Sequence, residues 1–496
     1  MVSTVNNHVV YGVTSPQYCS AAPYHPHEPY PELQFREVSE ESNAPYALLR
    51  ELLRDLGYDS ARFGTPQWNP LRQLIKPGDT VVLKPNFVLS RNDSGQGLFA
   101  CVTHPSILRA LIDYAFLALD GSGRIVIADA PQMDCDWDEL MAAQRLDSIQ
   151  DFYQRKFKFL IETYDLRNFA LINYREAAYS SNRKSLRGDP AGSVIINLGR
   201  QSHFYGLANE NFYGADYDRQ VTIQHHQGET QEYSVSKTVL SADVVISVPK
   251  MKVHKKVGVT LNLKGLVGIN TDKNYLVHYT LGTPNNGGDQ LPHGRPRFDR
   301  LAIGVQRKLY DIAMARQTRI GDAIYKTAAT VYKRTIKPWR SVSDSTKIID
   351  AGNWHGNDSC WRMTADLAKI IFFADKNGTL HSEPQRRLFC VVDGIIGGEN
   401  VGPLEPDAKA AGCMVAGENP LAVDLVTTRL MGFDVRRIKQ FEIIGSANWD
   451  FGVAKIGDVR IKAQGSGAGV DFFDPARRDR MIGFRAHPGW VGHIEV

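Results

Sequence analysis

The sequence predicts an α/β protein: a layered, mostly parallel sheet with helices on both faces and a helical insertion. Three observations carry that prediction. Short β-rich runs at 80–83, 124–128, 193–198, 243–248 and 388–392 end in polar or glycine-containing turns and lead into helical patterns. The run from Val244 to Val248 is apolar on both faces, which suits a parallel strand covered by helices on each side better than a half-exposed antiparallel one. Two helix starts are marked by their end signals. Pro105 suits a first helical turn ahead of an apolar stripe of Ile107, Leu108, Leu111 and Ile112. Asn419 is an N-cap before Pro420, and Gly432 supplies the stop.

Taken in order, residues 1–45 are rich in Pro, Tyr, His and Ser without a period, and read as an irregular arm. Residues 46–271 hold the first part of the α/β core and 346–496 the second. Between them, 272–345 reads as an insertion: a Gly/Pro/Asn-rich loop at Thr283–Gly288, then a long helical pattern through Leu301, Val305, Ile312, Ile320, Ile324 and Val331. From Arg307 to Arg340 nine Lys or Arg stand against Asp311 and Asp322, so the segment is basic. Three readings stay open for it: a solvated helix face, a lid over an anionic ligand, or a peripheral contact with anionic lipid.

With 58 basic and 54 acidic residues the net charge is +4 over 496 residues, too dilute to imply a nucleic-acid partner. Cysteines 19, 101, 135, 360, 390 and 413 are scattered, which matches neither an iron–sulfur motif, a zinc ribbon nor a Cys-x-x-Cys pair. The N-terminus shows no leader pattern and no apolar run is long enough to span a bilayer, so a cytoplasmic protein is expected. Neither a P-loop nor a dinucleotide fingerprint is present, which leaves the cofactor unknown. The spacing of His104, His254, Asp393 and Asp424 matches no metal-ligand motif.

The most informative stretch runs from Val248 to Asn270. Lys250, Lys252, His254, Lys255, Lys256 and Lys264 crowd the segment after a strand end, and no carboxylate occurs before Asp272. Ligands of parallel sheets bind beyond the strands' carboxyl ends, so this loop is a candidate receptor for a phosphate or carboxylate. Crowded ammonium groups depress one another's pKa and ready a Lys or His254 for proton transfer. A second cluster, Asp393 to Pro403, runs a strand into a loop with Gly394, Gly397, Gly398 and Gly402. Its glycines would let backbone N–H groups approach a ligand, with Asp393 and Glu399 as general acid or base. Lys84-Pro85-Asn86, with Thr103, His104 and Asp129, repeats the pattern of a cation after a strand. The mixture Trp354, His355, Arg362 suits either a sugar or ring-bearing substrate or an anchored loop, and Cys360 either a nucleophile or a buried thiol.

Lys84-Pro85-Asn86, the segment from Pro249 through Gly268, Asp393-Gly394 with Gly402-Pro403, and the helix from Asn419 to Gly432 together resemble the DUF362 family, in order over about residues 80–432. The resemblance implies a shared α/β core and pocket and supplies no reaction. Relatives with ferredoxin-like cysteine clusters suggest electron transfer; this chain lacks those clusters, so a redox role would need an external donor.

The expected function is an enzyme acting on an anionic small molecule by isomerisation, elimination or group transfer. Lys84, Asn86, Lys250, Lys252, Gly397, Gly398 and Asn270 would bind the ligand, and His254 or Lys264 would exchange a proton with Asp393 or Glu399. The alternatives are a non-catalytic binding or assembly protein for an anionic metabolite or cofactor, and a redox protein with an external donor.

Overall fold

The computed structural model describes residues 6–174, 182–208, 210–214, 218–294, 349–464 and 481–496, with scattered positions in 304–334 and 472–478. Most of the basic segment 307–340 lies outside the described residues.

The architecture is α/β with a ten-stranded, mostly parallel central sheet. Its strands are β1 (His8–Val13), β2 (Thr80–Pro85), β3 (Arg124–Asp129), β4 (Ile161–Asp165), β5 (Val244–Val248), β6 (Lys250–His254), β7 (Gly258–Val259), β8 (Arg387–Glu399), β9 (Asp407–Gly417) and β10 (Arg460–Ala463). Across the sheet the order is β10-β1-β9-β8-β5-β2-β3-β4, with β6 pairing β8 and β7. The pairs β8/β5, β5/β2, β2/β3 and β3/β4 are parallel, whereas β9 runs antiparallel to both β8 and β1.

Alternate side chains explain the layers. Val81 and Leu83 of β2, with Val244, Ile246 and Val248 of β5, pack into one core with Leu49 and Leu52 of α1 (Ala44–Asp55) and Ile107 and Leu111 of α2 (Pro105–Leu119). Val82 and Val245 point the other way, into a core shared with α4 (Cys360–Phe373) and α5 (Pro420–Met431). The short helix α3 (Leu261–Gly265) belongs to that second layer. Because the strands are buried on both sides, their sequences are continuously apolar. Among the described residues no helix is long and apolar enough to cross a membrane.

The chain runs from β2 outward through β3 to β4, and then returns to the other side of β2 as β5 and β8. The order therefore reverses between β2 and β5, and the crevice beyond the carboxyl ends of those two strands is where such sheets receive ligands.

Four sequence expectations need correction. Residues 1–45 are not wholly irregular, since Val9 to Val13 pair with Gly417 to Cys413 inside the sheet. The run near 193–198 forms Ser193–Asn197 of a separate three-stranded antiparallel sheet, consistent with its half-exposed alternation. Lys250–His254 is a strand and not a loop: Pro249 interrupts β5, and the chain resumes beside the same long strand β8. The glycine-rich run after Val392 is likewise strand through Glu399, paired with β9. Its glycines admit close neighbours there: a Cβ on Gly397 would lie 2.5 Å from the Phe484 ring, and one on Gly398 2.5 Å from the Ala100 carbonyl.

Asn419 caps α5, its Oδ1 accepting from Leu421 N at 2.9 Å and Ala422 N at 3.4 Å, while its Nδ2 donates to Phe451 O at 2.8 Å. Replacing it, Asn419→Ala, should cost about 1–2 kcal/mol, read as a lower urea midpoint with an unchanged slope.

Candidate functional site

A cavity of about 350 Å³ opens at the β2/β5 reversal. Asn86 and Asp129 come from the ends of β2 and β3, Lys252 and His254 from β6, Lys264 from α3, and Lys255, Lys256, Thr260, Lys273 and His278 from the turns around it. Arg307, from the start of the basic segment, also reaches the lining, beside Asp350.

The cations fall into two classes. Lys84 and Lys250, the residues that follow the apolar cores of β2 and β5, are each matched to a carboxylate. Lys84 Nζ donates to Asp129 Oδ1 at 3.0 Å and Lys250 Nζ to Asp393 Oδ2 at 2.9 Å, all four side chains being buried. Asp393 accepts further from Tyr18 OH at 2.6 Å and His104 N at 2.9 Å, with Tyr18 stacked on His104. These contacts anchor the N-terminal arm and place Lys250 and Asp393 behind the cavity wall.

The second class has no carboxylate within salt-bridge distance among the described residues. Lys252 Nζ donates to Cys101 O at 2.7 Å and Pro403 O at 3.1 Å. Lys256 Nζ donates to Ala351 O and to Asn353 Oδ1 at 3.0 Å, and Lys273 Nζ to Val267 O at 2.5 Å and Asn270 O at 3.1 Å. Lys264, 6% exposed, makes no hydrogen bond or ion pair among the described residues. Asn86 Oδ1 and Thr260 Oγ1 on the same wall are buried and have no hydrogen-bond partner among the described residues. Burying an ammonium costs several kcal/mol unless an anion or a full set of acceptors meets it. Burial accordingly lowers Lys252 to about 8 and Lys256 and Lys273 to about 7, neighbouring cations adding to the effect, and lowers Lys264 as well.

Two histidines share this wall. His254 Nδ1 accepts from Lys256 N at 3.0 Å, which assigns the ring proton to Nε2. His278 Nδ1 faces Leu276 O at 3.0 Å and donates to it, leaving Nε2 as an acceptor. Burial first, and Lys264 second, hold both well below the usual imidazole range, so both are neutral.

Supporting residues fix these groups. Asp424 of α5 accepts from Asn262 N at 2.9 Å, Asn262 Nδ2 at 2.7 Å and Leu263 N at 2.8 Å, which sets the first turn of α3 and so the root of Lys264. Asn357 Nδ2 donates to His278 O at 3.0 Å, making the loop 354–359 an anchor for His278. Cys360 is buried beside Lys264 and Lys256, and burial pushes its thiol up, away from nucleophilic use. Among the described residues no group of three or more His, Cys, Asp or Glu side chains could hold a metal ion.

Of the residues singled out in the sequence, Asn86, Lys252, His254 and Lys264 line the cavity. Lys84 stands just behind it, through Asp129. Glu399 is bound by Arg485, whose N and Nε donate at 2.9 and 2.8 Å, away from the cavity. Gly397 and Gly398 serve packing, and Asn270 is fully buried behind the lining, its peptide carbonyl accepting from Lys273. Asp393 and Glu399 are thus not opposite His254; of the carboxylates on the lining, Asp129 is occupied by Phe87 N and Lys84, and Asp350 stands beside Arg307. His278 and Lys273 lie within 272–345, which the sequence presents as an insertion; His278 follows the buried pair Leu276-Val277, a faint signal, and Lys273 follows the polar Asn270-Thr271-Asp272, which gives none.

Residues 184–429 match the family model DUF362, a domain of unknown function. No curated protein matches the chain.

A Cβ at Gly268 would sit 1.8 Å from Asp129 Oδ1 and 2.6 Å from Lys84 Nζ. Gly268→Ala should therefore force that buried pair apart at a cost of about 3–5 kcal/mol, measurable by urea denaturation. A pH effect follows from the lysines. Held below the ordinary 10.5, they carry fewer protons folded than unfolded above about pH 7, so unfolding takes up protons there. Their contribution to stability therefore rises with pH, and Lys252→Met with Lys273→Met should flatten the rise in melting temperature between about pH 7 and pH 9.

Proposed function

Starting from a chain that belongs to the DUF362 family, whose description assigns no reaction, we propose that this protein is an enzyme for a small phosphate- or carboxylate-bearing molecule, acting by acid–base chemistry in the cavity at the β2/β5 reversal. The observation that carries this reading is a set of buried lysines on one wall, Lys252, Lys256, Lys264 and Lys273, with carbonyl partners or none among the described residues. An anion entering there would supply the counter-charge that the fold omits, and each ammonium would strengthen as a donor on losing its water.

His254 and His278 supply the chemistry. With opposite tautomers, one presents an N–H and the other a lone pair, so one hydrogen-bonds an oxygen that gains charge while the other accepts a proton. Burial first, with the neighbouring lysines adding to it, keeps both rings neutral at physiological pH, which leaves the His278 lone pair free to accept a proton. This pairing takes over the part that Asp393 and Glu399 were expected to play. The six cysteines are free and buried, which supports a reducing, cytoplasmic setting.

Thermal melts and calorimetry with inorganic pyrophosphate, citrate and phosphorylated metabolites test the anion site. At low salt at least one polyanion should raise the melting temperature, and Lys256→Met should weaken its binding about tenfold or more. No response to any of them would refute the reading. His278→Ala should keep the anion response while abolishing conversion of a metabolite that the wild type turns over; a wild type that binds but converts nothing from a broad metabolite mixture favours a non-catalytic binding protein.

A further inference from the structure

The lysines of the cavity wall are not equivalent, and the difference narrows the class of molecule the site takes. Lys252, Lys256 and Lys273 each donate to two oxygens, which holds the nitrogen in place and commits its hydrogens. Lys264 has no such acceptor among the described residues, although its side chain is 6% exposed and lines the cavity. It rises from α3, a helix whose first turn is clamped by Asp424, so its stem is fixed while its nitrogen is uncommitted. Its electrostatic surroundings are Lys255, Lys84 and the Cys360 thiol, and it is in turn the foremost charge acting on His254 and His278. Burial first, and then the charges of Lys255 and Lys84, disfavour an ammonium in that position; a neutral amine escapes both.

We infer that Lys264 Nζ is a nucleophilic amine that forms a reversible imine with an aldehyde or ketone carbon of an anionic substrate, the neighbouring lysines holding its phosphate or carboxylate. This rests on the anion-site reading given above and adds the carbonyl. In the addition step the Nζ lone pair forms the C–N bond as the C=O π pair moves to oxygen, with His254 Nε2–H donating a hydrogen bond to that oxygen. One amine proton then passes through His278 Nε2 to the oxygen, giving the carbinolamine. The second follows the same path as the nitrogen lone pair closes the C=N bond, and the oxygen leaves as water. Both hydrogens of the water come from the amine, and no oxidant or reductant is consumed. Uptake of one proton from solvent at the imine nitrogen then gives the iminium, which makes the adjacent carbon acidic and serves the isomerisation or elimination already considered for the site.

The full-length protein, treated at neutral pH with pyruvate or with pyridoxal 5′-phosphate and sodium cyanoborohydride, should give one reduced adduct per chain. Peptide mapping should place it on Lys264, at a rate about tenfold or more above exposed lysines, whose amines are almost wholly protonated. The adduct should vanish in Lys264→Arg, a variant that keeps the charge and whose folding is checked by its melting temperature, and inorganic pyrophosphate should slow its formation in the wild type. Labelling at Lys252, Lys256 or Lys273 with Lys264 unmodified overturns the assignment. So does absence of an adduct while pyrophosphate still raises the melting temperature, a result that leaves the anion site standing; absence of both refutes the anion site as well.

Discussion

The cost of taking an ammonium group out of water governs this structure. Two lysines at the ends of adjacent parallel strands meet that cost with carboxylates, Lys84 with Asp129 and Lys250 with Asp393, inside a wall built from β2, β3, β6 and β8. Each pair is surrounded by further donors, Phe87 N on Asp129 and Tyr18 and His104 N on Asp393, which is the condition under which a buried ion pair is tolerated. The lysines one layer forward have no such carboxylates among the described residues. Those lysines line the cavity instead.

The same layering explains why so much of the fold converges on one crevice. The reversal of strand order between β2 and β5 leaves an opening at their carboxyl ends, and β6 turns along β8 to bring Lys252 and His254 to its edge. Within the second helical layer α5 holds α3 through Asp424, and the loop before α4 holds the peptide of His278 through Asn357. Gly268 has no side chain because Asp129 and Lys84 already occupy that space. Polar residues distant in sequence thus act as struts for the few that face the cavity, a requirement for groups whose orientation sets their proton affinity.

The legibility of the sequence varied with how local the controlling physics is. The strands of the parallel half were readable because burial on both faces leaves an apolar run, as in Val244–Val248, and the two long helices because Pro105, Asn419 and Gly432 mark their ends within a few residues. The long strand β8 was cut short in the reading because its glycines signal a loop; only the close approach of Phe484 and Ala100 explains why they belong in a strand. The basic crowd after Val248 drew attention to Lys252, His254 and Lys264, which line the cavity. It also drew in Lys250, whose carboxylate lies 143 residues away.

The sequence alone determined the fold class, the family, the two helix starts and the stretch of lysines that lines the cavity, since periodicity, capping residues and a cluster of cations are properties of adjacent residues. Which cations stay uncompensated was decided only by the tertiary structure. Neutralisation requires a carboxylate within about 4 Å in space, and whether Asp129, Asp393 or Glu399 comes that close is set by strand order and register. Those distances gave Asp393 to Lys250 and Glu399 to Arg485, and left Lys264 to face the cavity beside two histidines.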